Sequence, residues 1–430
     1  MHKNYYNIEI RYRDGLLLYN LLNKNFVYLE PDYKEFYLNE SNWEKDKIKL
    51  KEFMEAGFIL PDRIDERKGF LRNFSASRWN SRKLMFTIIP TTACNFCCNY
   101  CFEQGIKSIS MDEKTLRNTE SFIKNKINEF KPEEVEVAYY GGEPLLEVEK
   151  ILRIGATLNS FTKEKAISLK AEIVTNGYLY NLDTAQELYE KANVERAQIT
   201  LDGPPPVHNS RRKHRFHGGT FYTIFQNIRQ ILESKLPVKI NLRVNLDKTN
   251  ISSLKDLLEI LSVFASNENF DLYFAPVTGN VHMEKHLFTT EEYGNVYVDV
   301  ILPLLKQYGF DYEQYPDISY VFCAGITPFH YLIDADGYIK KCYDLVGRNE
   351  HNVGDISTYD FNHVEVLKWE LMEPLSEECK TCKFLPVCGG GCPFKKLSTG
   401  ENHCEMWKYI MDKLLVKIYE LKEENEKVYT

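Results

Sequence analysis

The chain contains no apolar run of the roughly 18 residues that a membrane-spanning helix needs. Its first residues, MHKNYYNIEIRYRDG, place charges where a secretion signal requires an apolar stretch. The expected location is therefore cytoplasmic, with no membrane partner. There is no surplus of positive charge: 54 Lys and Arg stand against 62 Asp and Glu, a net charge of −8. That balance argues against a broad nucleic-acid-binding face. No internal repeat stands out beyond a strand–helix rhythm, and no segment is of low complexity. Cysteine is missing from most of the chain. Four cysteines lie at 94–101, seven between 323 and 404, and none elsewhere. Cysteine used only as core filler would be scattered. In a reducing compartment such clusters are metal ligands more often than disulfides.

What is present is a chain of 430 residues, enough for two or three domains with a sizeable core. Residues 1–80 read as a small α+β unit. YNIEIRY, RDG and LLLYNLL suggest a hairpin with a turn at Asp14-Gly15, and NFVYLE a third strand. NWEKDKIKLKEFMEAGF follows as an amphipathic helix stopped by Gly57, then FILPD as a short strand. A polar stretch, 62–82, reads as a linker. From 83 onward six apolar runs alternate with helix-length segments: KLMFTIIP, VEVAYYGG, SLKAEIVTNG, VERAQITLDG, PVKINLRVNL and NFDLYFAPV. This rhythm predicts parallel βαβ units over 83–309, closing into a partial (β/α)6 TIM-type barrel. Chemistry in such barrels sits at the C-terminal ends of the strands, and the unusual sequences CNFCCNYC, GGEP, TNG, LDGPPP and RVN stand there. Residues 310–430 form a cysteine-rich, turn-rich region ending in a charged amphipathic helix that begins near Cys404.

Cys94, Cys98 and Cys101 are spaced C-x3-C-x2-C. Thiolates suit zinc or iron–sulfur. A closed zinc site wants four ligands, and no nearby histidine completes this set. Three cysteines on a [4Fe–4S] cube leave one iron open to chelate a small molecule. The spacing, the aromatic Tyr100 before the last cysteine, the position after the first barrel strand and the later GGEP together resemble the radical S-adenosylmethionine (SAM) superfamily, over about residues 83–404. The resemblance implies that Cys94, Cys98 and Cys101 hold the cluster and that SAM binds its open iron. It implies that Gly141, Gly142, Glu143 and Pro144 meet the SAM amino group, with Thr175, Asn176 and Gly177 as the polar motif after the third strand. Asp202, Arg211, Arg243 and Asn245 lie where related enzymes meet the SAM carboxylate and ribose; a strand-end cap or turn is the alternative role for these four. Cys97 reads as a spare residue, since the family leaves such positions free.

The remaining cysteines read Cys323, Gly337, Cys342, then Cys379, Cys382, Cys388, Cys392 and Cys404, with the later five spaced C-x2-C-x5-C-x3-C-x11-C. They resemble the SPASM extension, which binds two auxiliary [4Fe–4S] clusters. By that resemblance Cys323, Cys342 and Cys392 belong to auxiliary cluster I, and Cys379, Cys382, Cys388 and Cys404 to cluster II. Three clusters plus SAM are the expected cofactors; a pair of structural zinc sites is the alternative. Gly389, Gly390 and Gly391 are expected to let backbone approach the clusters. Some relatives have an eighth cysteine before the first, and none precedes Cys323 here. Cluster I then has one iron open to a substrate thiolate, or held by Asp317 or water.

The three strands and helix of residues 1–80 resemble the winged-helix-like element by which peptide-modifying enzymes bind a leader peptide through strand addition. NKNFVYLE is the expected edge; a structural lid is the alternative. The basic segment RRKHRFH, 211–217, reads as a solvated loop or an aid to SAM or an acidic leader. Together these features resemble maturases of ribosomally made peptides, of the thioether-forming sactipeptide or ranthipeptide type. They imply a thioether or carbon–carbon crosslink in a precursor peptide, with a flavodoxin- or ferredoxin-type electron donor. Anaerobic sulfatase maturation to formylglycine is the alternative. That family places an aspartate base after the cysteine of G-x4-C, where this chain has Tyr343, then Asp344. A non-catalytic iron–sulfur or zinc scaffold is the third reading. The barrel offers no single obvious general base among Asp271, Asp334, Asp336 and Asp344.

Overall fold

The computed structural model describes residues 1–278, 281–348 and 350–428. Its contacts divide the chain into two compact units: 1–78 with 289–323 and 373–430, and 79–288 with 324–372.

In the first unit, strands β1 (His2–Lys3), β2 (Asn7–Tyr12), β3 (Gly15–Asn20), β4 (Phe26–Leu29) and β5 (Ile59–Leu60) form two antiparallel pairings, β2-β3-β4 and β1-β5. The hairpin expected here is present, but its two turn residues are Arg13 and Asp14, because Tyr12 pairs with Gly15. Arg13 takes the left-handed φ of 52°, while Asp14 accepts from the Tyr28 hydroxyl at 2.8 Å. Gly15 is a strand residue; a Cβ there would lie 2.4 Å from the Tyr28 ring. Helix α1 (Pro31–Leu38), absent from the sequence expectation, starts with proline at its first turn, where the missing N–H costs nothing. Helix α2 (Lys47–Glu55) begins on Asp46, whose carboxylate accepts from the Ile48 and Lys49 amides, both at 3.1 Å. Leu16, Leu18, Phe36, Trp43, Phe53 and Phe58 share one core, and each such burial contributes about 1.5–3 kcal/mol. The stretch expected as a linker is instead largely helix α3 (Glu66–Arg78). Phe70 and Phe74, one helical turn apart, are its buried anchors. A C-terminal helix, Trp407–Val428, buries Ile410, Met411, Leu414, Leu415 and Ile418 on one stripe. The bidentate Arg13–Glu423 pair, at 2.6 and 2.7 Å, ties it to the hairpin turn.

In the second unit, β6 (Lys83–Ile88), β7 (Glu134–Tyr139), β8 (Ser168–Val174), β9 (Val194–Thr200), β10 (Lys239–Leu246) and β11 (Phe270–Pro276) stand in chain order, all parallel. All six apolar runs expected as strands are strands. Strand β12 (His330–Ile333) adds parallel to β6, followed by antiparallel β13 (Tyr338–Lys340) and β14 (Gly354–Asp355). Helices α4 (Glu113–Phe130), α5 (Val148–Glu164), α6 (Leu182–Ala192), α7 (Pro205–Arg211), α8 (Phe221–Glu233) and α9 (Leu254–Leu261) supply the crossovers. This is a mixed α/β fold around a parallel sheet, as the rhythm predicted.

The strands alternate over much of their length. Leu84, Phe86, Val135, Val137, Ile173 and Ile199 are fully buried. Beside apolar Met85 and Ala138, many of the intervening positions are polar: Thr87, Glu136, Glu172, Arg196, Gln198, Asn241 and Arg243. Closed barrels fill their interior with bulky apolar side chains. Here the polar positions leave a cavity of about 830 Å³, lined among others by Thr87, Glu136, Glu172, Arg196, His330 and Tyr343.

Candidate active site

The cysteine loop leaves β6 through Pro90 and Thr91 and lies against two other chain segments. The first is the glycine turn after β7. Gly142 donates to the Thr91 carbonyl at 3.2 Å and Glu143 to the Ala93 carbonyl at 2.8 Å. A Cβ on Gly142 would stand 2.4 Å from the Ala93 oxygen, and one on Gly141 2.4 Å from the Thr91 oxygen. Only glycine fits so close an approach.

The second is the basic segment, whose backbone is held against the loop while Lys213, Arg215, Phe216 and His217 remain exposed. Cys97 N–H donates to Lys213 O at 2.8 Å, Asn99 N–H to Arg211 O at 3.2 Å, and Arg215 N–H to Asn95 O at 2.8 Å. Phe96 and His214 form the antiparallel bridge between them. Residues 211–215 thus run beside 95–99 as a strap, and Arg215 Nε also holds the Cys94 carbonyl at 2.9 Å.

The four cysteines of this loop form no disulfide. Cys98 is buried, Cys94 and Cys101 are half-buried, and Cys97 is exposed with its sulfur 3.6 Å from the Lys213 carbonyl. Burial pushes the Cys94 thiol up to about 12, Cys101 up to about 11, and Cys98 also upward. Without a metal these three are neutral thiols; a soft cation would reverse that balance and release their protons. Among the described residues no three His, Cys, Asp or Glu side chains gather closely enough to cage a single ion. Thiols that each hold a different corner of a multi-iron cluster need not converge on one point. The surroundings suit such a cluster. The Phe96 amide points at Cys94 Sγ at 3.4 Å, a contact that stabilises a ligating sulfur. Gln104 Nε2 fixes the Cys98 carbonyl at 2.7 Å.

Glu143 and Pro144 close the glycine turn. Glu143 is fully buried, and desolvation holds its carboxyl above the usual range despite three donors: Leu145 N at 3.0 Å, Thr175 Oγ1 at 2.7 Å and Asn176 N at 2.8 Å. A carboxylate has about four acceptor sites, so these three donors use most of them. Asn176 Nδ2 reaches the Asn95 side chain at 2.7 Å and so joins the third strand's end to the cysteine loop.

Tyr100 is the hub of the fourth and fifth strand ends. Its hydroxyl donates to Asp202 and accepts from Arg212 Nη1 at 2.6 Å and Asn245 Nδ2 at 3.2 Å. Asp202 also accepts from the Asn245 amide at 2.9 Å, and Arg243 Nε donates to Asn245 Oδ1 at 2.7 Å. Asp202, Arg243 and Asn245 are therefore brought to the cysteine loop. The Arg211 guanidinium joins them: it lies 5.0 Å from the Tyr100 ring and its Nε 4.0 Å from Asp202, while it donates to Asp247 and Thr249, both at 2.8 Å. The neighbouring Arg212, which the sequence reading did not single out, faces the loop as well. Nothing in RRKHRFH distinguishes the buried Arg211 and Arg212 from the exposed Lys213 and Arg215; only the strap's register does.

Of the later cysteines, Cys323, Cys379, Cys382, Cys388, Cys392 and Cys404 lie in the first unit and Cys342 in the second. Ser376 caps a one-turn helix by accepting the Cys379 amide at 3.2 Å, and Cys382 N–H donates to Cys379 O at 3.0 Å. Gly389, Gly390 and Gly391 all have left-handed φ, at 55°, 94° and 75°. A Cβ on Gly389 would meet the Ser319 carbonyl at 2.8 Å, and one on Gly391 the His403 carbonyl at 2.0 Å. Gly389 thus admits the backbone leading to Cys323, and Gly391 that leading to Cys404. Lys408 Nζ points at Cys404 Sγ at 3.6 Å, and burial pushes the Cys388 thiol up to about 11. Asp317, an alternative ligand in the sequence reading, is exposed and paired with Lys24.

A parallel half-barrel with three cysteines looped over its strand ends defines a class: enzymes that seat an iron–sulfur cluster and a small chelated cofactor at the barrel mouth. Residues 88–261 match the family model described as "Radical SAM superfamily". This stretch is a radical SAM domain, and the chain is homologous to anaerobic sulfatase-maturating enzymes. A cysteine-type anaerobic sulfatase-maturating enzyme of Clostridium novyi is 25% identical over 78% of this chain and 96% of its own length. A radical SAM cyclopropyl synthase, TigE, of Paramaledivibacter caminithermalis is 26% identical over 46% of this chain and 43% of its own. The solved structure "Native anSMEcpe with bound AdoMet and Cp18Cys peptide" aligns with a TM-score of 0.57 at 18% identity, covering 79% of this chain and 99% of that one. The shared fold extends well beyond the barrel.

Proposed function

We propose that this protein is a radical SAM enzyme that crosslinks a ribosomally made precursor peptide, forming a thioether or a carbon–carbon bond. When bound, the cluster and SAM supply a carbon radical able to take hydrogen from an unactivated C–H bond. Cys94, Cys98 and Cys101 hold the cluster. The Gly141–Pro144 turn, Thr175 and Asn176 hold the SAM amino end, and Asp202, Arg243 and Asn245 the far side. Arg211 in this reading supports the mouth through Asp247. The polar barrel cavity takes the reacting peptide segment, with Glu136, Glu172 and Arg196 as hydrogen-bonding walls. Cys323, Cys342 and Cys392 are assigned to one auxiliary cluster, and Cys379, Cys382, Cys388 and Cys404 to a second. Strand β4 is an edge of the β2-β3-β4 sheet, which favours leader binding by strand addition. An acidic flavodoxin- or ferredoxin-type protein is the electron donor.

The observation that carries the crosslinking reading is Tyr343. It follows Cys342, lines the barrel cavity and meets the Thr87 hydroxyl at 3.1 Å. At this place the sulfatase-maturase resemblance calls for an aspartate base. Asp344, next along, is exposed. A second reading, formylglycine formation on a sulfatase, is favoured equally by the relatives named above. Mass spectrometry separates the two. The enzyme is co-expressed anaerobically with each short reading frame beside its gene, and separately incubated with a cysteine-bearing sulfatase peptide. Loss of two hydrogens with one cysteine no longer alkylatable indicates a thioether; the same loss with all cysteines free indicates a carbon–carbon bond. An aldehyde on the sulfatase peptide alone would sink the crosslinking reading.

A further inference from the structure

The strap that pairs with the cysteine loop places two of its cations inward: Arg211, which is tied to Asp247, and Arg212. Lys213 and Arg215 are exposed, whereas Arg212 is only 8% exposed. Its guanidinium carbon stands 5.8 Å from the Phe96 ring, and Nη1 donates to the Tyr100 hydroxyl at 2.6 Å. Its Nε is buried and has no hydrogen-bond partner among the described residues. Asp202, the carboxylate of this network, is already held by Tyr100 and the Asn245 amide. A buried cation so placed is costly unless an anion faces it. The groups that feel its field are Cys94, Cys98, Cys101, Tyr100, Asp202 and Glu143.

We propose that Arg212 is a positioning and tuning residue: through Tyr100 it fixes the cysteine loop, and its buried charge raises the reduction potential of the cluster held there. The proposal rests on reading the loop as the seat of a [4Fe–4S] cluster. Three thiolates on iron would add to the negative charge that Asp202 already places in the field of the guanidinium. Reduction adds one electron, taken from an external low-potential one-electron donor, and hence one negative charge. A fixed cation in a low-dielectric site favours that reduced form.

The test is an EPR-monitored redox titration of the anaerobically reconstituted full chain, without SAM, with iron and sulfide content measured in parallel. A wild type that binds no [4Fe–4S] cluster defeats the underlying reading before Arg212 is considered. Given that cluster, Arg212→Gln is expected to disfavour its reduction about tenfold, a fall of about 59 mV for a one-electron couple. Arg212→Met fills the same space without charge and is expected to do likewise, while Arg212→Lys keeps the wild-type potential. Loss of the cluster from both neutral variants with retention in Arg212→Lys also supports the charge requirement. A wild-type potential in either neutral variant, or loss of iron from Arg212→Lys as well, overturns the proposal.

Discussion

The two cysteine-bearing regions solve the same problem by different means. In the barrel unit the thiols sit on an eight-residue loop that is clamped between a glycine turn and a cationic strap, so its shape is set by long-range backbone bonds. In the other unit, Cys379 and Cys388 ride on one-turn helices with Cys382 between them, and three consecutive left-handed glycines follow. A loop fixed from outside tolerates change within it poorly. A glycine-built site depends on its own local conformation. The same chemistry therefore has different weak points in the two units.

The largest effect that would sharpen this contrast comes from Cys98→Ser. SAM cleavage to 5′-deoxyadenosine is expected to fall by more than the roughly 10–100-fold that loss of an outer partner costs a metal site; full activity would remove Cys98 from the ligand set. Cys388→Ser is the matching change in the other unit. It is expected to lose one cluster's share of iron and the peptide product, while SAM cleavage survives. Loss of both activities together would break the distinction between the regions. Next in size is Phe74→Ala, which empties a buried site under α3 and is expected to cost about 3–5 kcal/mol in denaturant unfolding. An effect near zero would restore the linker reading of residues 62–82. Gly142→Ala forces a Cβ to 2.4 Å from the Ala93 carbonyl; overpacking of this kind costs about 1–3 kcal/mol and is expected to weaken SAM binding, measured by calorimetry.

The smallest effect concerns pH. Burial, helped by the Lys341 charge, holds His330 down at about 3. Above its unfolded value of 6.5 the ring is neutral in both states and adds no pH dependence. As pH falls from 6.5 toward 3 the unfolded chain takes up a proton that the folded chain refuses, so stability is lost across that window. His330→Gln keeps a hydrogen-bonding group toward Thr87 and is expected to flatten the slope of unfolding free energy between pH 6.5 and 3; an unchanged slope would assign it elsewhere.

Much of the barrel was legible. Six apolar runs gave six strands, because a run covered by helices on one face must be apolar at alternate positions at least. The inward polar set, Thr87, Glu136, Glu172, Gln198 and Arg243, was present in those same runs but passed unremarked, since the apolar neighbours dominate the average. In the first unit the helix over 66–78 was read as a linker: two phenylalanines among charged residues are a weak periodic signal until Tyr320 stacks on Phe70 at 5.2 Å. Helix α1 was missed because Pro31 resembles a turn when its neighbours are unknown.

What the sequence alone determined is the chemistry that covalent spacing can hold. Three thiols within eight residues, a glycine pair at a strand end and a second run of cysteines with glycines between them restrict what each stretch can bind, whatever lies around it. The tertiary structure decided the rest. It buried both Arg211 and Arg212 against the cysteine loop, paired Arg211 with Asp247, made Tyr100 a hub for Asp202 and Asn245, and turned a basic run into a strap. These outcomes depend on which backbone carbonyl meets which amide across more than a hundred residues of chain, and on which side of a strand then faces away from water. Spacing along the sequence carries neither quantity.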